Sequence, residues 1–137
     1  MRVILDTNIL LSGLLSPSGT PAQLVDAWLD RRFMLVSHPI QIEEFSAVTR
    51  RDKIRALLRP SEAGRLVNQI AALAEMPSRL PQVQRSRDPR DDFLLALCEA
   101  GAADRLVTGD KDDLLALRHH GTTRIVTAAA FAMEIGV

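Results

Sequence analysis

Val3-Ile4-Leu5-Asp6-Thr7-Asn8 decides the fold of this 137-residue chain. Three consecutive apolar residues just after the start, cut off by a polar triplet, read as a central strand buried on both faces. A loop carrying chemistry is expected where that strand ends. Asn8–Leu15 then turns helical and stops at Ser16-Pro17-Ser18-Gly19-Thr20, a loop by composition. Thr20 is expected to cap the next helix, with Pro21 as its first residue. In that helix Leu24, Val25, Trp28 and Leu29 form an apolar stripe, which places Trp28 in the core.

The alternation continues to the end of the chain. Phe33–Val36 reads as a strand, and Ser37 as the cap of a helix reaching Thr49. Arg51–Leu58 and Ser61–Ala74 read as two helices divided by Pro60. Pro77 and Pro81 make Glu75–Arg87 a loop or a short edge strand. Arg90–Ala100 reads as a helix, Arg105–Thr108 as a strand and Asp112–Leu117 as a helix. Thr123–Val126 is a last strand, and Thr127 is expected to cap a helix to about Ile135. Strands alternating with helices indicate an α/β sandwich around a parallel sheet, in one domain over 1–137.

Four acidic stations punctuate this pattern: Asp6, Glu44 in Ile42-Glu43-Glu44-Phe45, Asp91 in Asp88-Pro89-Arg90-Asp91-Asp92, and Asp110 in Thr108-Gly109-Asp110-Lys111-Asp112. In open parallel sheets, ligands bind beyond the carboxyl ends of the strands. Asp6 and Asp110 follow strands, Asp91 heads a helix, and Glu44 must reach inward from one to two turns along its own. Carboxylates gathered at apolar strand ends are costly unless neutralised, and a hard divalent cation does this best. Bound there, Mg²⁺ or Mn²⁺ would activate water and offset charge on a phosphodiester. Helix capping by Asp6 and Asp91 and a solvent-facing Glu44 are the plainer readings of the same residues.

Composition narrows the alternatives. Formal net charge is zero, but residues 50–87 hold nine basic residues against three acidic, and residues 88–113 eight acidic against three basic. A basic middle beside an acidic end suits a polyanion held next to a metal centre, and equally suits solvated helix faces. Arg51, Arg55 and Arg59, four residues apart, would share a helix face along an RNA backbone. With no Tyr and few other aromatics, base stacking is not expected to govern recognition. The single cysteine, Cys98, excludes an internal disulfide and reads as a small buried thiol. His38, His119 and His120 lack zinc-ligand spacing and read as surface residues. No glycine-rich nucleotide loop is present. Neither a signal peptide nor a membrane span is expected, and the chain reads as cytoplasmic.

The quoted segments resemble the PIN domain family of metal-dependent ribonucleases, in particular the bacterial PIN toxins of toxin–antitoxin pairs. The matching pieces are Val3–Asn8, Glu44 ahead of Val48 and Arg51-Asp52-Lys53, Asp88–Asp92 leading into Leu94-Leu95-Ala96, Val107–Asp112, and Gly121…Ile125-Val126-Thr127-Ala128…Phe131. The resemblance implies a Rossmann-like α/β/α sandwich with a central parallel sheet, and cleavage of single-stranded RNA with Mg²⁺ or Mn²⁺. It also implies frequent homodimerisation and a small antitoxin as partner. Carried over, Asp6 and Asp91 are the principal metal ligands, with Glu44 and Asp110 completing the acidic set. Asn8 and Thr108 support them. Glu43 is the alternative to Glu44 and Asp92 to Asp91, while Asp112 and Asp113 rank behind Asp110. A PIN-fold binding module without turnover and a metal-dependent phosphatase are the competing functions.

Overall fold

The computed structural model describes residues 1–110 and 112–137. Lys111, part of the Thr-Gly-Asp-Lys-Asp segment, lies outside them. The order of elements is β1 (Arg2–Leu5), α1 (Thr7–Leu15), α2 (Thr20–Leu29), β2 (Met34–Leu35), α3 (Pro39–Thr49), α4 (Asp52–Arg55) and α5 (Pro60–Leu73). After a long connection come α6 (Pro89–Ala100), β3 (Arg105–Val107), α7 (Leu114–Leu117), β4 (His119–His120), β5 (Thr123–Val126) and α8 (Ala128–Ile135).

The strands form one sheet in the order β2-β1-β3-β5-β4. The first four are parallel, and β4 runs antiparallel to β5 at the edge. The centre of the sheet is parallel, as expected, and one antiparallel strand is added at its edge. The addition lies at His119-His120, two polar residues that carry no strand periodicity of their own and pair only because β5 offers an open edge.

Alternation along each strand divides the core in two. Val3, Leu5, Leu35 and Val107 face α1, α2, α3, α5 and α8, where Trp28, Phe45, Ile70 and Phe131 fill the space. Phe33 meets Phe131 edge to face, with centroids 5.3 Å apart. Ile4, Val36, Leu106 and Ile125 point the other way, onto Leu94, Leu95, Leu97 and Cys98 of α6 and Leu114 of α7. This is an α/β/α sandwich, with Trp28 and Cys98 buried as their sequence context implied. Burial pushes the Cys98 thiol up to about 12, which keeps it protonated near neutral pH.

Local expectations needed adjustment at the caps. His38, not Ser37, caps α3: its ring accepts from the Ile40 N–H, while buried Ser37 donates to Gln41 Oε1 at 2.5 Å. Gly19 precedes α2, so Thr20 is its first residue. Thr127 does cap α8, accepting from Ala130 N at 3.1 Å. His38 and His120 are half-buried rather than surface residues. From Glu75 to Arg87 a single parallel bridge, Val36 to Glu75, is the only strand-like pairing among the described residues.

The fold creates a place for chemistry. The chain leaves β1 toward β2 on one side and returns to β3 on the other, so the carboxyl ends of β1 and β3 flank a topological switch point. There the Asp6 N–H donates to the Val107 carbonyl at 2.9 Å, locking the two strand ends together.

Candidate metal centre

Asp6, Glu44, Asp91 and Asp110 all line one cleft of about 710 Å³ at this switch point, together with Asn8, Arg51, Lys53, Asp88, Arg90 and Asp113. Four separate segments converge here: the β1–α1 junction, α3, the start of α6, and the loop after β3.

Asp6 occupies the position before the first turn of α1, yet its side chain makes no capping bond. The carboxylate turns instead to Thr108, whose fully buried hydroxyl donates to Asp6 Oδ2 at 2.7 Å. Burial raises the Asp6 pKa, partly offset by that hydroxyl bond. Thr108 Oγ1 also accepts from the Asp110 N–H at 3.1 Å, so one side chain orients residues on both strand ends.

Asp91 sits in the first turn of α6 and is only 8 % exposed. Ser86 Oγ donates to its Oδ2 at 3.3 Å. Burial, and then the negative charge of Asp110, push its pKa up to about 6. Asp92 points elsewhere: its Oδ1 accepts the backbone N–H groups of Arg85 at 3.0 Å and Ser86 at 2.7 Å. Of the two neighbours, the cleft contains Asp91. Glu44 is half-buried and lines the cleft, whereas Glu43 is exposed and does not.

The tightest acidic group differs from the first ranking. Asp91, Asp110 and Asp113 each bring a carboxylate oxygen within 4.8 Å of the others. Asp113, ranked behind Asp110, is thus part of the group, while Asp112 is exposed and outside the cleft. The helix expected from Asp112 begins only at Leu114, because Asp110 caps the turn, accepting from Asp113 N and Leu114 N at 3.3 Å each. That turn swings Asp113 back toward Asp91. Asp113 also meets Arg87 at 2.9 Å.

The donor set fits a hard divalent cation. It is all oxygen and negatively charged, with no histidine or cysteine lining the cleft among the described residues. Among the described residues, no basic side chain forms an ion pair with Asp6, Asp91 or Asp110. Buried anionic oxygens without a counter-charge are what such an ion neutralises.

The arginine stripe is corrected by the structure. The helix expected over Arg51–Leu58 is the single turn of α4, with Arg51 before it and Arg59 preceding α5. The chain turns at Ala56–Leu58 so that Leu58 can bury itself in the larger core. The three arginines therefore share no helix face, and of them Arg51 alone lines the cleft. Lys53 and Arg90 join it there. Sequence reasoning passed over Arg90, Ser86 and the cleft position of Asp88. Only Asp88 carried a local signal, Asp before Pro at a helix start, where it accepts from the Arg90 N–H at 2.9 Å.

No helix among the described residues is long and apolar enough to cross a membrane. The chain is similar to an uncharacterized protein of Methanocaldococcus jannaschii, 26 % identical over 123 residues that cover 86 % of this chain and 76 % of the relative. The family model of the PIN domain matches residues 2–112, taking in Asp6, Glu44, Asp91 and Asp110 at the switch point, and the chain belongs to the PIN domain family.

Proposed function

We propose that residues 1–137 form one PIN nuclease domain that cleaves single-stranded RNA internally, with Mg²⁺ or Mn²⁺ as cofactor. The observation that carries this reading is the convergence of Asp91, Asp110 and Asp113 within 4.8 Å, in a cleft that also holds Asp6 and Glu44. A divalent cation, when bound, supplies the Lewis-acid charge that activates water and offsets negative charge building on a phosphodiester.

The chain's own residues do the rest. Asp91, steadied by Ser86, would hold the ion with Asp110 and Asp113, and Asp6, steadied by Thr108, would add a carboxylate from the end of β1. Glu44 adds a carboxylate from α3, and Asn8 a polar group from α1. Arg51, Lys53 and Arg90 are exposed on the cleft lining, where they meet phosphates of a bound strand. Among the described residues the cleft lining contains no aromatic, so recognition runs through the backbone of the strand rather than base stacking.

Beyond this core activity, the proposal extends to a cytoplasmic toxin that acts as a homodimer and is held by a small antitoxin. Copurification with the product of a small adjacent reading frame, and sedimentation of the purified chain, test those parts.

The test of the activity is cleavage of single-stranded RNA by the purified chain, with Mn²⁺ or Mg²⁺, with EDTA, and with folded Asp6→Asn and Asp91→Asn variants. Metal-dependent cutting abolished by both substitutions is the expected result. Binding of RNA without cutting would favour a scaffold. Hydrolysis of a small phosphomonoester in place of RNA would favour a phosphatase.

A further inference from the structure

We propose that Asp92, which stays out of the cleft, is a positioning residue for Asp91 and acts on it through the backbone of Arg85 and Ser86. The proposal rests on the metal-site reading above and assigns it a supporting element.

The geometry forms a closed circuit. Asp92 Oδ1 accepts two successive backbone N–H groups, from Arg85 at 3.0 Å and Ser86 at 2.7 Å. These bonds tie the end of the long 75–88 connection to the first turns of α6. Ser86 Oγ in turn accepts from the Asp88 N–H at 3.2 Å and donates to Asp91 Oδ2 at 3.3 Å. The Asp88 bond uses a lone pair of the hydroxyl oxygen and leaves its hydrogen for Asp91. The Ser86–Asp91 bond is long and would be weak on a free loop. Its value depends on the serine being held in place, and the Asp92 carboxylate supplies that hold.

The same segment reaches the site at a second point. Arg87, next to Ser86, meets Asp113 at 2.9 Å. On its other side, Arg85 Nη1 donates to the His119 carbonyl at 2.7 Å, anchoring the segment to β4. A loosened 85–88 turn therefore disturbs two members of the acidic group, Asp91 and Asp113, without removing either. Groups that orient metal ligands from behind typically affect affinity by about 10- to 100-fold.

Among the described residues only Oδ1 of Asp92 is used, and asparagine retains that oxygen without the charge. Acceptor geometry and net charge can therefore be separated. The experiment is titration of the purified full chain with Mn²⁺, free ion being read by electron paramagnetic resonance. The proteins are wild type, Asp92→Ala, Asp92→Asn, Ser86→Ala and the Asp92→Ala/Ser86→Ala double variant, each with a melting curve in EDTA. Asp92→Ala and Ser86→Ala are expected to weaken Mn²⁺ binding by about 10-fold. Asp92→Asn should bind close to wild type, and the double variant should be no weaker than Asp92→Ala alone. Equal binding by Asp92→Ala and wild type would overturn the proposal, as would fully additive losses or a failure of asparagine to rescue. If Asp92→Ala does not fold, Ser86→Ala and Asp92→Asn still decide it: unchanged binding in Ser86→Ala, or lost binding in a folded Asp92→Asn, rejects it. A wild-type chain that binds no Mn²⁺ would instead sink the metal-site reading, and this proposal with it.

Discussion

The hydroxyl of Thr108 and the carboxylate of Asp6 meet at 2.7 Å although they stand 102 positions apart in the sequence. This bond joins the ends of β1 and β3, and the same oxygen receives the Asp110 N–H. Thr108→Val preserves shape in a fully buried position but removes both partners at once. We expect a loss of about 2 kcal/mol, two buried hydrogen bonds at roughly 1 kcal/mol each. Urea denaturation in EDTA measures it. Mn²⁺ affinity should fall as well, since Asp6 loses its orienting donor. An unchanged midpoint would mean that the valine side chain finds equivalent packing and that the bond contributes little.

Asp91 makes stability depend on pH in an unusual direction for a carboxylate. Its folded-state pKa of about 6 lies above the ordinary value of 3.8. Between those limits the native chain keeps a proton that the unfolded chain has released. The native state therefore binds more protons, and stability falls as pH rises through that window. Asp6 is shifted the same way. Glu75, Asp88 and Glu134 are shifted down by their arginine and backbone partners, so their contribution is lost as pH falls below the ordinary carboxylate range. Glu75 and Glu134 are exposed and Asp88 partly so, and solvent screening keeps that effect small. In EDTA, the urea midpoint should drop between about pH 4 and about pH 6. Asp91→Asn should flatten that drop and raise the midpoint at neutral pH, with a gain on the order of 1 kcal/mol, or ~4 °C in melting temperature. The same variant should lose stabilisation by Mn²⁺. A wild-type profile that rises with pH would contradict the assignment.

Arg51 and Arg59 provide a matched pair for the RNA interface. Arg51 lines the cleft and Arg59 does not. If phosphates lie along the cleft, Arg51→Ala should weaken binding of single-stranded RNA. It should also reduce the slope of log affinity against log salt by about 0.7 per lost contact. Arg59→Ala should leave both nearly unchanged. Filter binding at several salt concentrations, in Ca²⁺ or EDTA to prevent turnover, distinguishes them. Equal effects would place the strand across the α4–α5 connection as well.

Gly101 tests the packing beneath the site. A Cβ added there would lie 2.5 Å from Val36 Cγ1 and 3.2 Å from the Leu97 carbonyl oxygen. Val36 is fully buried and has no room to withdraw. Gly101→Ala should therefore destabilise the chain by about 2 kcal/mol through overpacking, visible as a lower urea midpoint. RNA cleavage below the transition should persist, because the site's carboxylates lie at the opposite end of α6.

The strand Arg2–Leu5, the helices through Trp28 and Leu66, and the layered class were legible because each depends on a local pattern of apolar residues. Asp6 and Asp110 stood out for the same reason: a carboxylate beside a buried strand end is conspicuous in one dimension. The edge strand His119–His120 was not legible, since an antiparallel pair on an open edge requires a neighbour rather than a propensity. Nor was the early end of α4, which follows from where Leu58 finds the core.

The sequence by itself determined the alternation of strands and helices, the two-sided core and the set of acids from which a site can be drawn. Tertiary structure decided which of those acids meet. Asp91 faces the cleft while Asp92 holds the backbone of Arg85 and Ser86, and Asp113 joins the group because the turn capped by Asp110 carries it back. Adjacent residues share composition and nearly share spacing, so no linear pattern separates them. What separates them is direction, set by which neighbouring backbone donors each carboxylate finds once the chain has folded.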